Sequence, residues 1–356
     1  MLASWPDGII DPHIHQWDPL TTERVQSREA RLVRALPRIP RFMGAVAAKV
    51  DREFVGHPHH VLKPYLPDTY RQDAASVPVR TVVHIEAEWP AEERHLDAVG
   101  ETEWLTGLPF GHGGAPELGA IVVAADPRWA DVGEVLDAHL AASPLVRGVR
   151  SKAAHHPDPG VRDFAEAPGL WLEPAYLKGF AAIAARGMSF ELWCYAHQLP
   201  DAVQLIREYP ETTFVLNHYA TPVGLLGPRG ESTGRTEPER SAMLDRWRDD
   251  VAAVAEFPNV VAKHSGLGMP LLGVMPRKLR GMESVAMMAD QWRPLIRHLH
   301  DVFGPERTMW ASNFPMDKAT VTIPASVAVL LDVLGSDAEP ERLLRDVAAR
   351  VYRIAR

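Results

Sequence analysis

The sequence predicts an α/β protein of the (β/α)8 TIM-barrel class with long βα-loop insertions, on three observations. Eight short apolar runs rich in β-branched residues recur along the 356 residues. Ala/Leu-rich amphipathic segments lie between most of them, the alternation that marks parallel strands covered on both faces. No glycine-rich dinucleotide or phosphate signature follows the first run, which removes the usual support for an open doubly wound sheet. Eight strand–helix repeats close a barrel instead.

The strand-like runs are Gly8–His13, Arg80–Glu86, Leu118–Ala124, Val146–Arg150, Ser189–Tyr195, Thr213–His218, Asn259–His264 and Arg307–Ser312. Helical periodicity fills the later intervals over Val132–Ala142, Ala175–Arg186, Pro200–Tyr209, Leu244–Glu256 and Pro294–Phe303. Three stretches exceed ordinary connections. Residues 18–77 follow the first run and carry Tyr65-Leu66-Pro67 and the cluster Gly56-His57-Pro58-His59-His60. Residues 220–243 are rich in Gly, Pro, Thr and Ser, and residues 266–291 are rich in methionine. Each leaves the C-terminal end of a strand, where barrels place their substrate loops. A single domain over residues 1–356 is expected, with no internal repeat beyond the βα unit.

Composition narrows the function. The 38 basic and 46 acidic side chains give a net charge of −8, which offers no electrostatic footprint for nucleic acid. No stretch reaches the ~18 apolar residues of a membrane span; residues 319–334, the nearest, are broken by Thr320, Thr322, Pro324 and Ser326. The first residues, with Trp5, Pro6 and Asp7, lack the apolar core of a signal peptide, so a cytoplasmic location is expected. One cysteine, Cys194, excludes an internal disulfide or a multi-cysteine metal site. Imidazoles and carboxylates are then the ligands available to any divalent metal, zinc or manganese. A small-molecule substrate is the expected partner, and the long loops and the methionine-rich segment suit a homodimer contact.

The sharpest local signal is Asp11-Pro12-His13-Ile14-His15. Side chains alternate along a strand, so His13 and His15 point the same way, into the barrel mouth. The pair Arg297-His298-Leu299-His300 has the same spacing but falls on a helical pattern. About 24 strand-end positions would carry about one of the 16 histidines by chance, and this sequence places His13, His15, His197, His218 and His264 there. His84, Glu86 and Glu88 share one face of the second run by the same alternation. Arg150 closes the fourth run, where its planar fork suits an ion pair with Glu86. Trp193, Tyr195 and Trp310 offer an aromatic wall.

Asp11-Pro12-His13-Ile14-His15-Gln16-Trp17-Asp18, Leu216-Asn217-His218 and Ser312-Asn313-Phe314-Pro315-Met316-Asp317-Lys318 together resemble the amidohydrolase-related TIM-barrel family. That branch of the amidohydrolase superfamily includes 2-pyrone-4,6-dicarboxylate lactonase, sugar lactonases and aminocarboxymuconate-semialdehyde decarboxylase-like enzymes. The resemblance implies a hydrolase that opens a lactone or similar ester of a small carboxylated or hydroxylated substrate by water attack. It gives His13, His15, His197 and His218 catalytic roles, with His13, His15 and His197 as the ligands if a metal is present. It also implies the other use of the Arg150 fork, holding a substrate carboxylate.

The family's eighth strand normally ends in an aspartate, where this sequence has Asn313. An amide takes no proton at neutral pH and ligates a divalent cation poorly. Asp317 and Glu86 are the candidates to replace it as base. Arg150, Glu86, Tyr195, Lys263, His264 and Asn313 complete the expected substrate site, His264 standing where relatives commonly have leucine. Two alternatives accompany this reading: a metal-dependent non-oxidative decarboxylase, and a catalytically silent relative that binds a small molecule.

Overall fold

The computed structural model describes residues 8–24, 27–35, 49–56, 61–91, 93–273 and 282–355. Eight strands form one sheet in which each pairs with the next in chain order. They are β1 (Ile9–Ile14), β2 (Val79–Ile85), β3 (Glu117–Ala124), β4 (Val146–Arg150), β5 (Ser189–Leu192), β6 (Phe214–Leu216), β7 (Val260–His264) and β8 (Thr308–Trp310). All seven pairings are parallel. The ring closes between its ends: the Asn313 N–H donates to the His13 carbonyl at 3.0 Å and the His15 N–H to the Phe314 carbonyl at 2.8 Å. The barrel expectation is met.

In the long first connection, α1 (Ser27–Ala35), α2 (Lys49–Val55) and α3 (Pro67–Ala74) lie between β1 and β2. The outer ring continues with α4 (Val99–Thr106), α5 (Val132–Ala142), α6 (Pro174–Ala185), α7 (Leu199–Glu208), α8 (Glu237–Ala255), α9 (Met282–Phe303) and α10 (Ile323–Leu334). A last helix, α11 (Val347–Tyr352), packs its Val347, Ala348 and Tyr352 against the barrel-lining Ile10, Val83, Val261 and Met309. This apolar plug covers one end of the barrel, so the end open to ligands is the other.

Two helices are longer than their sequence patterns. α8 begins at Glu237 because Thr236 and Glu239 form a capping box, the Thr236 Oγ1 accepting from the Glu239 N–H at 3.3 Å. α9 runs straight through Pro294, which the periodicity reads as a helix start. The second and third loops are shorter than expected as a result. His57 to His60 lie outside the described residues, whereas His298 and His300 stand on α9 as the pattern indicates.

β1 is irregular where it matters. Three steps from Asp11 to Ile14 oppose two steps from Val82 to His84, so a bulge falls at Pro12 and His13. Asp11, fully buried, is the anchor: it accepts from the Tyr70 hydroxyl at 2.7 Å and from the Ser312 N–H at 2.9 Å. The sequence pair at the head of the first strand is thereby fixed against α3 and the end of β8.

Candidate active site

A cleft enclosing about 180 Å³ opens where the strands end, and His15, Glu86, Arg150, Lys152, Trp193, His218 and Asn313 line it. Each sits at the end of its strand or just beyond, the region in which a barrel changes its chemistry without disturbing its core. Phe54, Met269 and Met316 supply apolar wall from the long connections.

His13 forms the floor. Its ring centroid is 5.1 Å from that of His15 and 4.5 Å from that of His218. Its Nδ1 faces the Lys263 Nζ at 3.2 Å, and its Nε2 faces the Arg150 Nη1 at 3.5 Å. Below it, Lys263 donates to Glu191 Oε2 at 2.7 Å, while the Tyr352 hydroxyl and the Asn217 amide also donate to this carboxylate. Lys263 and Glu191 are both fully buried, so each needs the other. Burial lowers the Lys263 pKa to about 8, against the pull of Glu191.

The three imidazoles are held neutral. Burial is the largest cause for each, and the neighbouring cations Arg150 and Lys263 depress His13 and His218 further. His15 falls to about 3, through burial and then Arg150. Its Nδ1 lies 2.9 Å from the Ile85 carbonyl, a pure acceptor, so Nδ1 carries the hydrogen and Nε2 keeps a lone pair. The Nδ1 of His218 lies 2.8 Å from the Ser265 hydroxyl.

Arg150 and Glu86 form the ion pair that the sequence allowed, and both line the cleft. The Arg150 Nε donates to Glu86 Oε1 at 2.8 Å and Nη2 to the Glu86 carbonyl at 2.9 Å. Lys152 bridges to Glu86 at 3.5 Å and to Glu88 at 3.0 Å. Burial would raise the Glu86 pKa, but Lys152 and Arg150 outweigh it and hold this carboxylate well below its usual range. Behind the wall, Arg24 and Glu101 clasp Ala87: Arg24 Nη1 donates to its carbonyl at 2.6 Å, and its N–H donates to Glu101 at 3.1 Å.

Five expected site residues stand elsewhere. His197 is exposed on a short turn after β5, its ring 5.2 Å from that of His156. Tyr195 is buried beside it and donates its hydroxyl to the Arg162 carbonyl. β5 ends at Leu192, and past that point strand alternation no longer governs direction. His264 points out of the barrel, accepting at Nδ1 from or donating to the Tyr219 hydroxyl at 2.7 Å. Lys263, its neighbour, points in but ends beneath His13. Asp317 lies on the turn after Asn313 with both oxygens occupied: Asn313 Nδ2 donates to Oδ1 at 2.7 Å and the Gly268 N–H to Oδ2 at 3.1 Å. It belongs to a smaller cavity behind the cleft, shared with His264 and Trp310. His84, read with Glu86 on one face, instead packs outward, its Nε2 3.7 Å from Glu101.

Sequence reasoning missed Arg162 and Phe164, which line the cleft from the connection after β4. The interval between Arg150 and Pro174, nearly as long as the stretches 220–243 and 266–291, was the available signal. Glu191 was missed too, although a carboxylate inside an apolar strand always needs a partner.

Burial raises the Asp317 pKa to about 7. A folded-state value above the unfolded one means the fold gains stability from this proton below about pH 4 and loses it as pH rises through about 7. The melting-temperature advantage of the wild type over Asp317→Asn is therefore expected to shrink from pH 4 to pH 8. Thermal denaturation across that range checks it, and a difference independent of pH contradicts it.

A model of the amidohydrolase family matches residues 10–354. The chain belongs to the amidohydrolase family. An uncharacterised protein of Sinorhizobium fredii is 28% identical over 98% of this chain and 99% of its own length. An L-fucono-1,5-lactonase of Burkholderia ambifaria is 26% identical, over 51% of this chain and 50% of that protein. Among solved structures, an amidohydrolase of Burkholderia multivorans superposes with a TM-score of 0.69 at 19% identity, covering 98% of this chain and 99% of that one. That form holds HEPES, and a second crystal form of it holds zinc.

The donor set of this amidohydrolase does not fit such an ion. The expected ligands His13, His15 and His197 do not converge, because His197 is outside the cleft. Both nitrogens of His13 face cationic side chains, which repel a dication. Asn313 replaces the carboxylate, and among the described residues no group of three or more His, Cys, Asp or Glu is arranged to hold a metal.

Proposed function

We propose that this amidohydrolase opens a lactone, or a similar cyclic ester, of a small carboxylated or hydroxylated substrate without a metal. The observation that carries the reading is the pair of neutral imidazoles His15 and His218, each with Nδ1 engaged by the protein and Nε2 left for a ligand in the cleft.

The lone pair on His15 Nε2 makes it the acceptor for a proton from attacking water. In the tautomer in which the Ser265 hydroxyl donates to His218 Nδ1, His218 Nε2–H is a donor for the oxyanion that forms on the lactone carbonyl. The Asn313 amide, aimed by Asp317, adds a second donor at the same rim. Collapse of the tetrahedral intermediate breaks the ring C–O bond, and the His15 imidazolium returns its proton to the leaving oxygen. Asp317 thus positions Asn313 and does not act as the base, and Glu86, held ionised by two cations, serves to orient Arg150.

Arg150 and Lys152 receive a substrate carboxylate or hydroxyl. An anion bound there offsets the Arg150 charge that depresses His15, so a bound acidic substrate strengthens the base that attacks it. The relationship to an L-fucono-1,5-lactonase supports the same class of reaction. A panel of aldono- and dicarboxylate lactones assayed for acid release tests the reading: hydrolysis of at least one well above the spontaneous rate is expected, and none anywhere in the panel contradicts it.

A further inference from the structure

Beside the cleft lies a second, wider-mouthed chamber of about 480 Å³, against about 180 Å³ for the cleft itself. The two share Glu86, Glu88, Arg150, Lys152, Arg162 and Phe164, so the Arg150–Glu86 pair and its neighbours stand as a rim between adjoining spaces. We propose that this chamber is a subsite for a neutral, polyhydroxylated extension of the substrate, a glycosyl unit attached to the lactone-bearing residue. The proposal deepens the lactonase reading and rests on it.

Three features define the ligand. The chamber presents two half-buried indoles, Trp89 and Trp129. Trp129 is pre-set: His95 stacks on it at 4.3 Å with rings 6° from parallel, and His95 is tied through Nδ1 to Asp131 at 2.5 Å. A rigid aromatic face costs little ordering when a flat apolar surface, such as the C–H face of a sugar ring, lies against it.

The charges, secondly, are matched. Lys152 pairs with Glu88 at 3.0 Å, Arg128 with Asp126 at 2.7 Å and Arg150 with Glu86 at 2.7 Å. Arg162, the fourth cation lining it, pairs with Asp51 at 3.4 Å, and with Glu166 also in the lining the formal charges balance, so this side selects for a neutral group while Arg150 and Lys152 take the carboxylate on the cleft side. Thirdly, the same side chains offer carboxylate acceptors and guanidinium donors around the aromatic faces, and a purely apolar group would strip them of water without replacing their hydrogen bonds. Hydroxyl groups, which donate and accept, satisfy both kinds.

Calorimetric titration of the chelator-treated protein with gluconate and with 4-O-galactosyl-gluconate tests the assignment, since both are open-chain acids that need no turnover. The galactosyl acid is expected to bind at least about tenfold more tightly than gluconate. That ratio is expected to fall to about one in Trp129→Ala and severalfold in Arg128→Ala, an exposed position that spares the core. Equal affinities in the wild type, a ratio unchanged in both variants, or no binding of either acid overturns the proposal. If no lactone is hydrolysed yet the galactosyl acid still binds preferentially through Trp129, the reaction falls and the subsite stands.

Discussion

His15→Asn is expected to lower lactone turnover by about 10²- to 10⁴-fold, the range that a positioned general base supplies. Asparagine keeps an N–H that can reach the Ile85 carbonyl, now 2.9 Å from His15 Nδ1, and deletes the Nε2 lone pair. The loss is therefore expected in kcat with the fold retained, which circular dichroism checks beside the kinetics. Because kcat/KM reports the free enzyme, and burial and Arg150 lower the free His15 to about 3, the wild-type profile is expected to stay flat down to about pH 5. An acid limb near pH 6.5 that persists in Asp317→Asn would mean that an ordinary exposed histidine is the base. Unchanged turnover in His15→Asn would remove His15 from the mechanism.

Arg150→Met is the substitution with the largest expected cost to the fold. It strands Glu86, 2% exposed, with Lys152 as its remaining cation at 3.5 Å. Breaking a buried pair from one side costs about 3–5 kcal/mol, so a melting temperature lower by roughly 5–10 °C is expected. Adding Glu86→Gln removes the uncompensated charge, and the double variant is expected to recover most of that stability while remaining inactive. Thermal denaturation of the four proteins in the cycle isolates the pair. A double variant as unstable as Arg150→Met alone would show that the loss is packing and not charge.

Much of this site was legible because strand parity is a hard constraint. His13 and His15 converge as their two-residue spacing requires and Arg150 closes β4, whereas Glu86 and His218 reach the same mouth from one and two residues past the ends of β2 and β6. Parity also explains the failures. Lys263 and His264 are neighbours on β7, so one had to face the interior and the other the helices; naming both ignored the rule that identified the first pair. Tyr195 closes the fifth strand-like run and His197 stands at its end, yet the hydrogen-bonded ladder stops at Leu192 and the chain turns.

Other features depend on contacts between distant segments. Nothing local distinguishes an Asp317 that faces the substrate from one that grips Asn313; the turn Met316–Ala319 decides it. Glu191 and Lys263 are seventy-two positions apart, and only barrel closure sets them side by side. α9 shows the opposite case, a local signal overruled: Pro294 reads as a helix start, but apolar burial of Trp292, Leu295 and Leu299 carries the helix across it.

Hydrolysis of a lactone by protein stripped of metal with a chelator tests the central claim most directly, with bound metal measured on the same sample. The His13–Arg150–Lys263 arrangement leads to turnover that survives stripping and gains nothing from added zinc or manganese. Activity that disappears on stripping and returns with one equivalent of either ion would contradict a site in which two cationic side chains face His13.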